Sequence, residues 1–452
     1  MFPQYARASP LDSLRFSLFH VLPMALQGVF RKRPFWVRVV GALHPDPLGR
    51  RFVGRLRDKY HAAYLDLSML GRRTRLVLDP EGIQEVLERS PDAYPADPKS
   101  KREGMSVFQP EAVTISRMPE WAARRRFNEL VLKAAVEPPH DGHFLAVVRD
   151  EVGRWHARSP GRLAWADVQE VFDRVTLRAV FGDAARGDRA ILAALDTLMA
   201  RANRVLFRRR PAPAFDALYG GIRRYLAAAD PNSLAGLAAR ALGSPELWPG
   251  NEVPPRSTVR PETQVPHWLF AIKDTLAANT AFALALLTAH PKTDDALRAA
   301  LPAGREPAVA DLHAATLLDG CIQEAMRLWP TTPMLLREAA TGGVLGGSVH
   351  GPGLQVLIWN AANHRDRATV ADPDPFLPGR WAGGEADWRF NHLSNGRQGC
   401  AGKRLAVFLA KAVIAEVGRR TRLTLVRPPL PAGGPMPETF NWFRFEAAAA
   451  PP

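Results

Sequence analysis

The sequence Asn-Gly-Arg-Gln-Gly-Cys-Ala-Gly, residues 395–402, places Cys400 among glycines and beside a cation, just before an amphipathic run. Glycines let the backbone approach a flat, bulky ligand closely. Backbone N–H groups and the N-terminus of a following helix can stabilise a sulfur anion, which is a ligand for a soft metal. The only other cysteine is Cys321, so the chain has no disulfide framework. Taken alone, the stretch also fits an ordinary buried cysteine.

Two motifs upstream of this loop decide between these alternatives. Residues 324–330 read Glu-Ala-Met-Arg-Leu-Trp-Pro, and residues 376–381 read Phe-Leu-Pro-Gly-Arg-Trp. In this order, the three motifs resemble the cytochrome P450 family of haem-thiolate enzymes, and in particular its soluble, bacterial-type monooxygenases. The resemblance runs from about residue 121 to the helix after Cys400. It implies a mainly α fold with small β-sheets, in which haem b lies between a long central helix and the helix of the cysteine loop.

Composition describes a basic globular protein. Of 452 residues, 60 are Lys or Arg and 45 are Asp or Glu, which gives a formal net charge of +15. This charge favours an acidic partner protein or an anionic membrane surface. Nucleic acid is not expected, because the arginines are scattered and the sequence contains no known nucleic-acid-binding module. Two cysteines indicate a reducing compartment, so we expect a cytoplasmic protein.

The first 45 residues form a separate apolar and basic segment. Residues 11–30 are apolar but are interrupted by Arg15, His20 and Pro23, which argues against a helix that spans a membrane. The cations at 31–33 follow the apolar run, which argues against a signal peptide. We expect residues 1–45 either to pack on the protein body or to touch a membrane surface. Residues 46–452 would then form one haem-thiolate domain, as the resemblance implies, and we expect a monomer.

Hydrophobic periodicity predicts a predominantly helical chain. Two strands, 63–69 and 73–78, are expected to form a hairpin. Prolines indicate a loop at 245–266, and residues 93–118 and 366–390 are expected to be irregular, the latter as an ordered meander. The predicted helices are 46–62, 80–90, 119–135, 143–157, 164–181, 186–205, 212–229 and 267–289. The last is apolar on nearly all sides and is therefore expected to be buried.

The resemblance assigns Cys400 as the axial ligand of the haem iron. In the family motif Phe-x-x-Gly-x-Arg-x-Cys-x-Gly, the cysteine and both glycines match, whereas Leu393 replaces the Phe and Gln398 replaces the Arg. The resemblance also implies a set of residues that hold the haem propionates: Trp121, Arg125, Arg337, Arg397 and Gln398.

An ion pair is predicted upstream of the meander, either as a structural lock or as an ordinary surface pair. Glu324 and Arg327 lie three residues apart, so on a helix they share one face. A bidentate pair between them, joined by a second guanidinium from Arg380, would fix the meander to this helix. The resemblance implies that all three residues are structural.

The resemblance places an acid–alcohol pair about sixteen residues before Pro291, which gives Asp274 and Thr275. Oxygen activation requires protons, and such a pair would supply them. Ile272 stands where the family usually has Gly, which lets the helix open into a groove. The sequence leaves open whether that groove forms.

The resemblance implies an O2-dependent monooxygenase that acts on a small apolar or amphipathic substrate. Electrons would pass from NAD(P)H through a reductase and an acidic ferredoxin or flavodoxin. A basic surface would attract this acidic partner, and its expected members are Arg124, Arg126, Lys403, Arg404 and Lys411. Two alternatives remain. Ile272 prompts the first, a peroxygenase driven by H2O2. The imperfect loop at 393–398 prompts the second, a haem-binding sensor. The expected substrate pocket consists of Val107, Phe108, Phe270, Ala271, Met334, Leu335, Phe440 and Trp442.

Overall fold

The computed structural model describes residues 5–43, 50–69, 71–204, 209–302, 305–383 and 387–452. Helices dominate these ranges, and the strands are short. The helices are α1 Pro10–Phe16, α2 Leu22–Gln27, α3 Pro34–Leu43, α4 Arg50–Tyr60, α5 Pro80–Glu88, α6 Lys99–Met105, α7 Glu120–Ala134, α8 His140–Arg158, α9 Trp165–Phe181, α10 Arg189–Ala202, α11 Ala212–Ala228, α12 Leu234–Gly243, α13 Arg256–Val259, α14 Pro261–Phe270, α15 Ala277–Ala289, α16 Pro291–Ala300, α17 Val309–Ala314, α18 Thr316–Leu328, α19 Asn360–Asn363 and α20 Lys403–Arg420. The strands are β1 Tyr5–Arg7, β2 Tyr64–Met69, β3 Arg72–Val77, β4 Arg162–Ala164, β5 Leu335–Glu338, β6 Gly343–Leu345, β7 Ser348–His350, β8 Gln355–Ile358, β9 Arg422–Arg427 and β10 Glu446–Ala450.

The strands form three small sheets. The largest has the order β1-β2-β3-β8-β5, with β2–β3 and β8–β5 antiparallel and β1–β2 and β3–β8 parallel. The hairpin predicted from the sequence is therefore present as β2–β3. The other two sheets, β4-β10-β9 and β6-β7, are antiparallel. The predicted class, mainly α with small β-sheets, is confirmed.

A long helix runs through the core. Helices α14 and α15 are joined by one wide π-helical turn, Ala271–Leu276, so the chain is helical from Pro261 to Ala289. In the described part of the chain, the helical stretch Arg256–Ala289 alone has the length and apolar composition to cross a membrane, but 78% of its apolar window is buried inside the protein. It packs against α9, α18 and α20.

Helix α14 begins six residues before the predicted helix at 267. Pro261 occupies its first turn, where the missing N–H removes no helical hydrogen bond. The prediction that all of 245–266 forms a loop is therefore wrong, because α14 begins inside this range. Helix α6 lies within the segment predicted to be irregular, and α12 was not predicted.

The described N-terminal residues pack on the largest sheet. Strand β1 pairs with β2, and α1 contacts β2. The Tyr60 hydroxyl donates to Asp12 Oδ2 at 2.6 Å and accepts from the Ser9 N–H at 2.8 Å. The boundary expected between residues 45 and 46 lies outside the described residues.

A completely buried ion pair joins α18 to the meander. Arg327 donates to Glu324 through Nε and Nη2, both at 2.7 Å, and neither side chain is exposed. Arg327 Nη1 also donates to the carbonyls of His364 at 2.9 Å and Pro373 at 2.7 Å. This one guanidinium therefore satisfies carbonyl groups of the meander that would otherwise be buried without partners.

Glu324 binds the next part of the meander. Its carboxylate accepts from the Leu377 N–H at 3.1 Å and from Trp381 Nε1 at 3.0 Å. Arg380 Nε lies 3.7 Å from Glu324 Oε2, and its two Nη atoms donate to the carbonyls of residues 371 and 372. Glu324, Arg327 and Arg380 thus lie together, and Trp381 is a fourth member.

We predict that Glu324→Gln lowers the free energy of unfolding by about 3–5 kcal/mol, because it leaves the Arg327 guanidinium buried without a counter-charge. The measurement is chemical denaturation followed by circular dichroism. Asp295→Asn is the control, since Asp295 pairs with Arg422 at the surface and its loss should cost less than about 1 kcal/mol. Equal costs for the two substitutions would contradict the structural role of the buried pair.

Candidate active site

The cysteine loop is a tight turn between the meander and α20. The Cys400 N–H donates to the Leu393 carbonyl at 2.8 Å, and the Gly399 N–H donates to the Gly396 carbonyl at 3.0 Å. Gly396 has a φ of +68°, and a Cβ there would lie 2.3 Å from the Leu87 carbonyl oxygen. The glycine is therefore required both by its conformation and by its close approach to the end of α5.

Opposing effects act on the pKa of the Cys400 thiol. The residue is exposed, yet the surrounding protein atoms desolvate the thiol and raise its pKa, while the Gly402 N–H and the charges of Arg125 and Lys403 offset this effect in part. The sequence predicted that the loop alone would hold the sulfur as an anion. The net effect is a raised thiol pKa, and a bound metal cation would favour the thiolate instead.

Helix α7 supports the loop from one side. Arg125 donates to the Gly399 carbonyl and, at 2.6 Å, to Glu129. Trp121 is buried one turn earlier, and the Arg397 guanidinium lies 5.7 Å from the centre of its ring. Arg397 also pairs with Asp92 at the surface. An exposed carboxylate is thus within its reach, and its contact with a propionate stays a prediction.

Two cations, buried Arg337 and half-buried Lys101, are not paired with carboxylates in the described structure. Arg337 on β5 donates to Ser90 Oγ at 3.2 Å and to the Leu336 carbonyl at 3.1 Å, and burial lowers its pKa to about 10. Lys101 on α6 donates to the carbonyls of Ala96 at 2.8 Å and Thr114 at 3.0 Å. Burial lowers the pKa of Lys101 to about 7; nearby Arg337 contributes to this, and Asp97 opposes it. Among the described residues, neither cation has an ion-pair partner.

Lys101 was missed at the level of sequence. It stands two residues from Lys99 and next to Arg102, and such a run is typical of a solvated helix face. Only the fold shows that one member of the run points inward. Gln398, which was predicted, has a buried Oε1 without a hydrogen-bond partner in the described structure. Because amide orientation is interchangeable, its NH2 group can face the same place.

The wide turn at Ala271–Leu276 carries the acid–alcohol pair. Asp274 Oδ1 accepts from Lys273 Nζ at 2.8 Å, and the same ammonium donates to Asp196 of α10 at 2.9 Å. Burial raises the pKa of Asp274, and Lys273 opposes this shift. Thr275 is half-buried, and α20 packs against this turn. The helix thus opens here although Ile272 replaces the glycine; π-helical turns are frequent at functional sites.

The predicted pocket residues separate into groups. Phe108 and Phe270 are in edge contact, with ring centres 5.8 Å apart, and both belong to the main core together with Val107. Ala271 follows at the start of the wide turn, where it is half-buried. These four residues lie on the side of the acid–alcohol pair.

The other four predicted pocket residues have different neighbours, and their role in a pocket stays a prediction. Phe440 and Trp442 pack against Phe282 of α15, at 5.8 and 5.5 Å between ring centres. Met334 and Leu335 pack in two separate clusters around the largest sheet. Aromatic and aliphatic residues that line a pocket cannot be distinguished from core residues by sequence alone.

The predicted basic surface is smaller than expected. Arg126, Lys403 and Arg404 are exposed. Arg124 is buried and donates to Ser116 Oγ at 2.8 Å, and Lys411 is buried and pairs with Asp319 at 2.9 Å. Both were predicted to be surface charges, and both instead compensate polar groups inside the fold.

Comparison with known proteins gives a similarity that covers part of the chain. Residues 262–428 match the family model for cytochrome P450. Similar curated proteins include a probable cytochrome P450 4aa1 of Drosophila melanogaster, 30% identical over 34% of this chain and 32% of its own length. The cyclooctat-9-en-7-ol 5-monooxygenase of Streptomyces melanosporofaciens is 31% identical over 35% of this chain and 36% of its own length.

A third relative is the mitochondrial 25-hydroxyvitamin D-1 alpha hydroxylase of Homo sapiens, 28% identical over 37% of this chain and 34% of its own length. The chain thus matches about a third of the length of these relatives. The matched range 262–428 contains Asp274, Thr275, the Glu324–Arg327 pair and Cys400, whereas Trp121 and Arg125 lie outside it. With the cysteine loop, the buried ion pair and the wide turn in one helical fold, the chain is similar to the cytochrome P450 family over residues 262–428.

Proposed function

We propose that the protein is a haem-thiolate monooxygenase that inserts one oxygen atom from O2 into a small apolar or amphipathic molecule. The observation that supports this most strongly is the pairing of two features. A desolvated cysteine on a tight loop precedes α20, and the same helix packs against a wide turn that bears Asp274 and Thr275.

The charges around the loop fit a haem. A haem carries two propionate carboxylates, and the fold provides cations without carboxylate partners of their own in the described residues, Lys101 and Arg337. Arg125 and the amide of Gln398 are further donors beside the loop. Cys400 would ligate the iron, and these residues would hold the propionates. When bound, such a centre activates O2 with electrons delivered from outside.

The chain's own residues would control proton supply. Lys273 lies between Asp196 and Asp274 and keeps the Asp274 carboxylate oriented. Because the pKa of Asp274 is raised, this acid can hold a proton nearer to neutral pH than an exposed aspartate can. Thr275 follows on the same turn and would position water for transfer. The wide turn supports use of O2 over the peroxide alternative, whose motivation was Ile272.

The pocket side and the outer surface suggest the substrate and the partner. Val107, Phe108 and Phe270 are apolar, which favours an apolar substrate. Exposed Arg126, Lys403 and Arg404 would attract an acidic ferredoxin or flavodoxin, which would receive electrons from NAD(P)H through a reductase. We further propose that the enzyme works as a cytoplasmic monomer.

We predict that the reduced, haem-loaded protein binds CO with an absorption maximum typical of thiolate ligation. Cys400→His should shift the maximum to the position typical of histidine ligation, whereas Cys321→Ala, which changes the other cysteine, should not. A histidine-type spectrum in the unmodified protein would refute the proposed function.

We predict that Thr275→Ala lowers product formed per NAD(P)H consumed by about tenfold, because proton delivery loses its hydroxyl. The assay compares product with NAD(P)H oxidation, using a substrate found by screening for a spin-state change of the haem. Thr288→Ala, on the same helix but beyond the wide turn, is the control. Unchanged coupling in Thr275→Ala would rule out this role.

We predict that Lys101→Met weakens haem binding by about tenfold, since a propionate loses a cation. In the folded, haem-free protein the pKa of Lys101 is about 7, below its usual value of 10.5. Between pH 7 and pH 10.5 the unfolded state therefore binds more protons than the folded state does. Stability of the haem-free protein should therefore rise with pH across this window. Lys101→Met should abolish this rise.

The measurements are haem titration and chemical denaturation of the haem-free protein at several pH values. Lys99→Met is the control, because Lys99 is exposed on the same helix. If Lys101→Met binds haem as tightly as Lys99→Met does, Lys101 does not hold a propionate.

A further inference from the structure

One face of the central helix remains partly accessible, although the rest of the helix is buried. Within the range 263–287, the residues that are not buried are all half-buried, and they are His267, Phe270, Ala271, Asp274 and Thr275. They recur at intervals of three and four residues, so they share one side of the helix. The face that carries the acid–alcohol pair therefore extends back to His267.

His267 brings a neutral polar group to this face. Burial and the nearby charge of Lys101 lower the pKa of its imidazole to about 4, so the ring is uncharged near pH 7. Its Nδ1 lies 3.5 Å from Gln109 Nε2, and its Nε2 has no hydrogen-bond partner in the described part of the chain. The ring also meets Phe270 edge to face, with ring centres 4.8 Å apart.

Gln109 is the second polar residue at this place. Its side chain is completely buried, and its Oε1 has no hydrogen-bond partner among the described residues, while Nε2 lies 3.4 Å from Thr114 Oγ1. A buried polar atom without a partner is unfavourable. Phe108, the preceding residue, packs against Phe270. Gln109 and His267 thus form a polar spot in an otherwise apolar wall.

These two side chains offer one donor and one acceptor in either arrangement. A neutral imidazole has one N–H and one bare nitrogen, and an amide group can be turned to exchange its oxygen and nitrogen. If Nδ1 of His267 accepts from Gln109, Nε2 carries the proton and Oε1 of Gln109 is free to accept. If Nδ1 donates instead, Nε2 accepts and the amide NH2 donates. A hydroxyl both donates and accepts, so it satisfies the two side chains in each case.

Building on the proposed function, we propose that Gln109 and His267 bind a hydroxyl group of the substrate, which is an uncharged molecule with an apolar body. His267 precedes Thr275 by eight residues, which is about 12 Å along a helix. The hydroxyl therefore lies away from the carbon that is oxidised. Bound there, it directs the apolar body along Phe270 toward Thr275.

The test compares two probes with the same number of heavy atoms, 1-decanol and 1-methoxynonane, of which only the alcohol has an O–H. Their dissociation constants are measured from the spin-state change of the ferric, haem-loaded protein. We expect the unmodified protein to bind the alcohol about tenfold more tightly, although the ether is more apolar. This preference should disappear in Gln109→Met/His267→Leu. The matched control is Gln84→Met/His156→Leu, which changes the same residue types on α5 and α8 and should keep the preference.

Equal affinity of the unmodified protein for both probes, no spin-state change with either, or equal loss of preference in both double variants would overturn the proposal. The CO spectrum of each reduced protein distinguishes this from failure of the proposed function. A thiolate-type spectrum without a preference for the alcohol removes the substrate class alone, whereas a histidine-type spectrum removes both. The comparison of probes in the unmodified protein needs no substitution, so it decides the matter even if the double variant folds poorly.

Discussion

The architecture of the site depends on the buried ion pair between Glu324 and Arg327. Both charges are withdrawn from water, which is costly unless every oxygen and N–H finds a partner. The meander supplies those partners, through carbonyls that accept from Arg327 and through the Leu377 N–H and Trp381 indole that donate to Glu324. A segment without regular secondary structure thereby obtains one defined path. Because the cysteine loop follows directly, the position of Cys400 depends on the same pair.

Charge balance explains why this site suits a haem. The Cys400 thiol has a raised pKa, and two cations, half-buried Lys101 and buried Arg337, have no ion-pair partner among the described carboxylates. Each feature is unfavourable by itself. A ligand with a metal cation at its centre and carboxylates at its edge relieves both. Arg397, by contrast, already has Asp92 as a partner and therefore contributes to the surface.

The sequence predicted those parts of the site that local spacing determines. Gly396 and Cys400 in the loop, Glu324 and Arg327 on one helix face, and Asp274 before Thr275 all depend on intervals of a few residues. The parts that it missed depend on long-range burial: Lys101 is directed inward, and Asp196 reaches the central helix from α10. For the fold, helix positions followed periodicity, whereas the start of α14 did not, because a proline in the first turn resembles a loop proline. The burial of Asp12 and Ser13 on α1 was likewise hidden, since their partners Tyr60 and Ser68 come from a distant helix and strand.

The central claim is that the sulfur of Cys400 binds the iron of a haem held by this fold. X-ray absorption spectroscopy at the iron edge of the haem-loaded, ferric protein tests it most directly, because this method identifies the atoms bound to the metal. The account predicts one sulfur neighbour of the iron in the unmodified protein and in Cys321→Ala, and none in Cys400→Ser. An iron bound only by nitrogen and oxygen in the unmodified protein would contradict it.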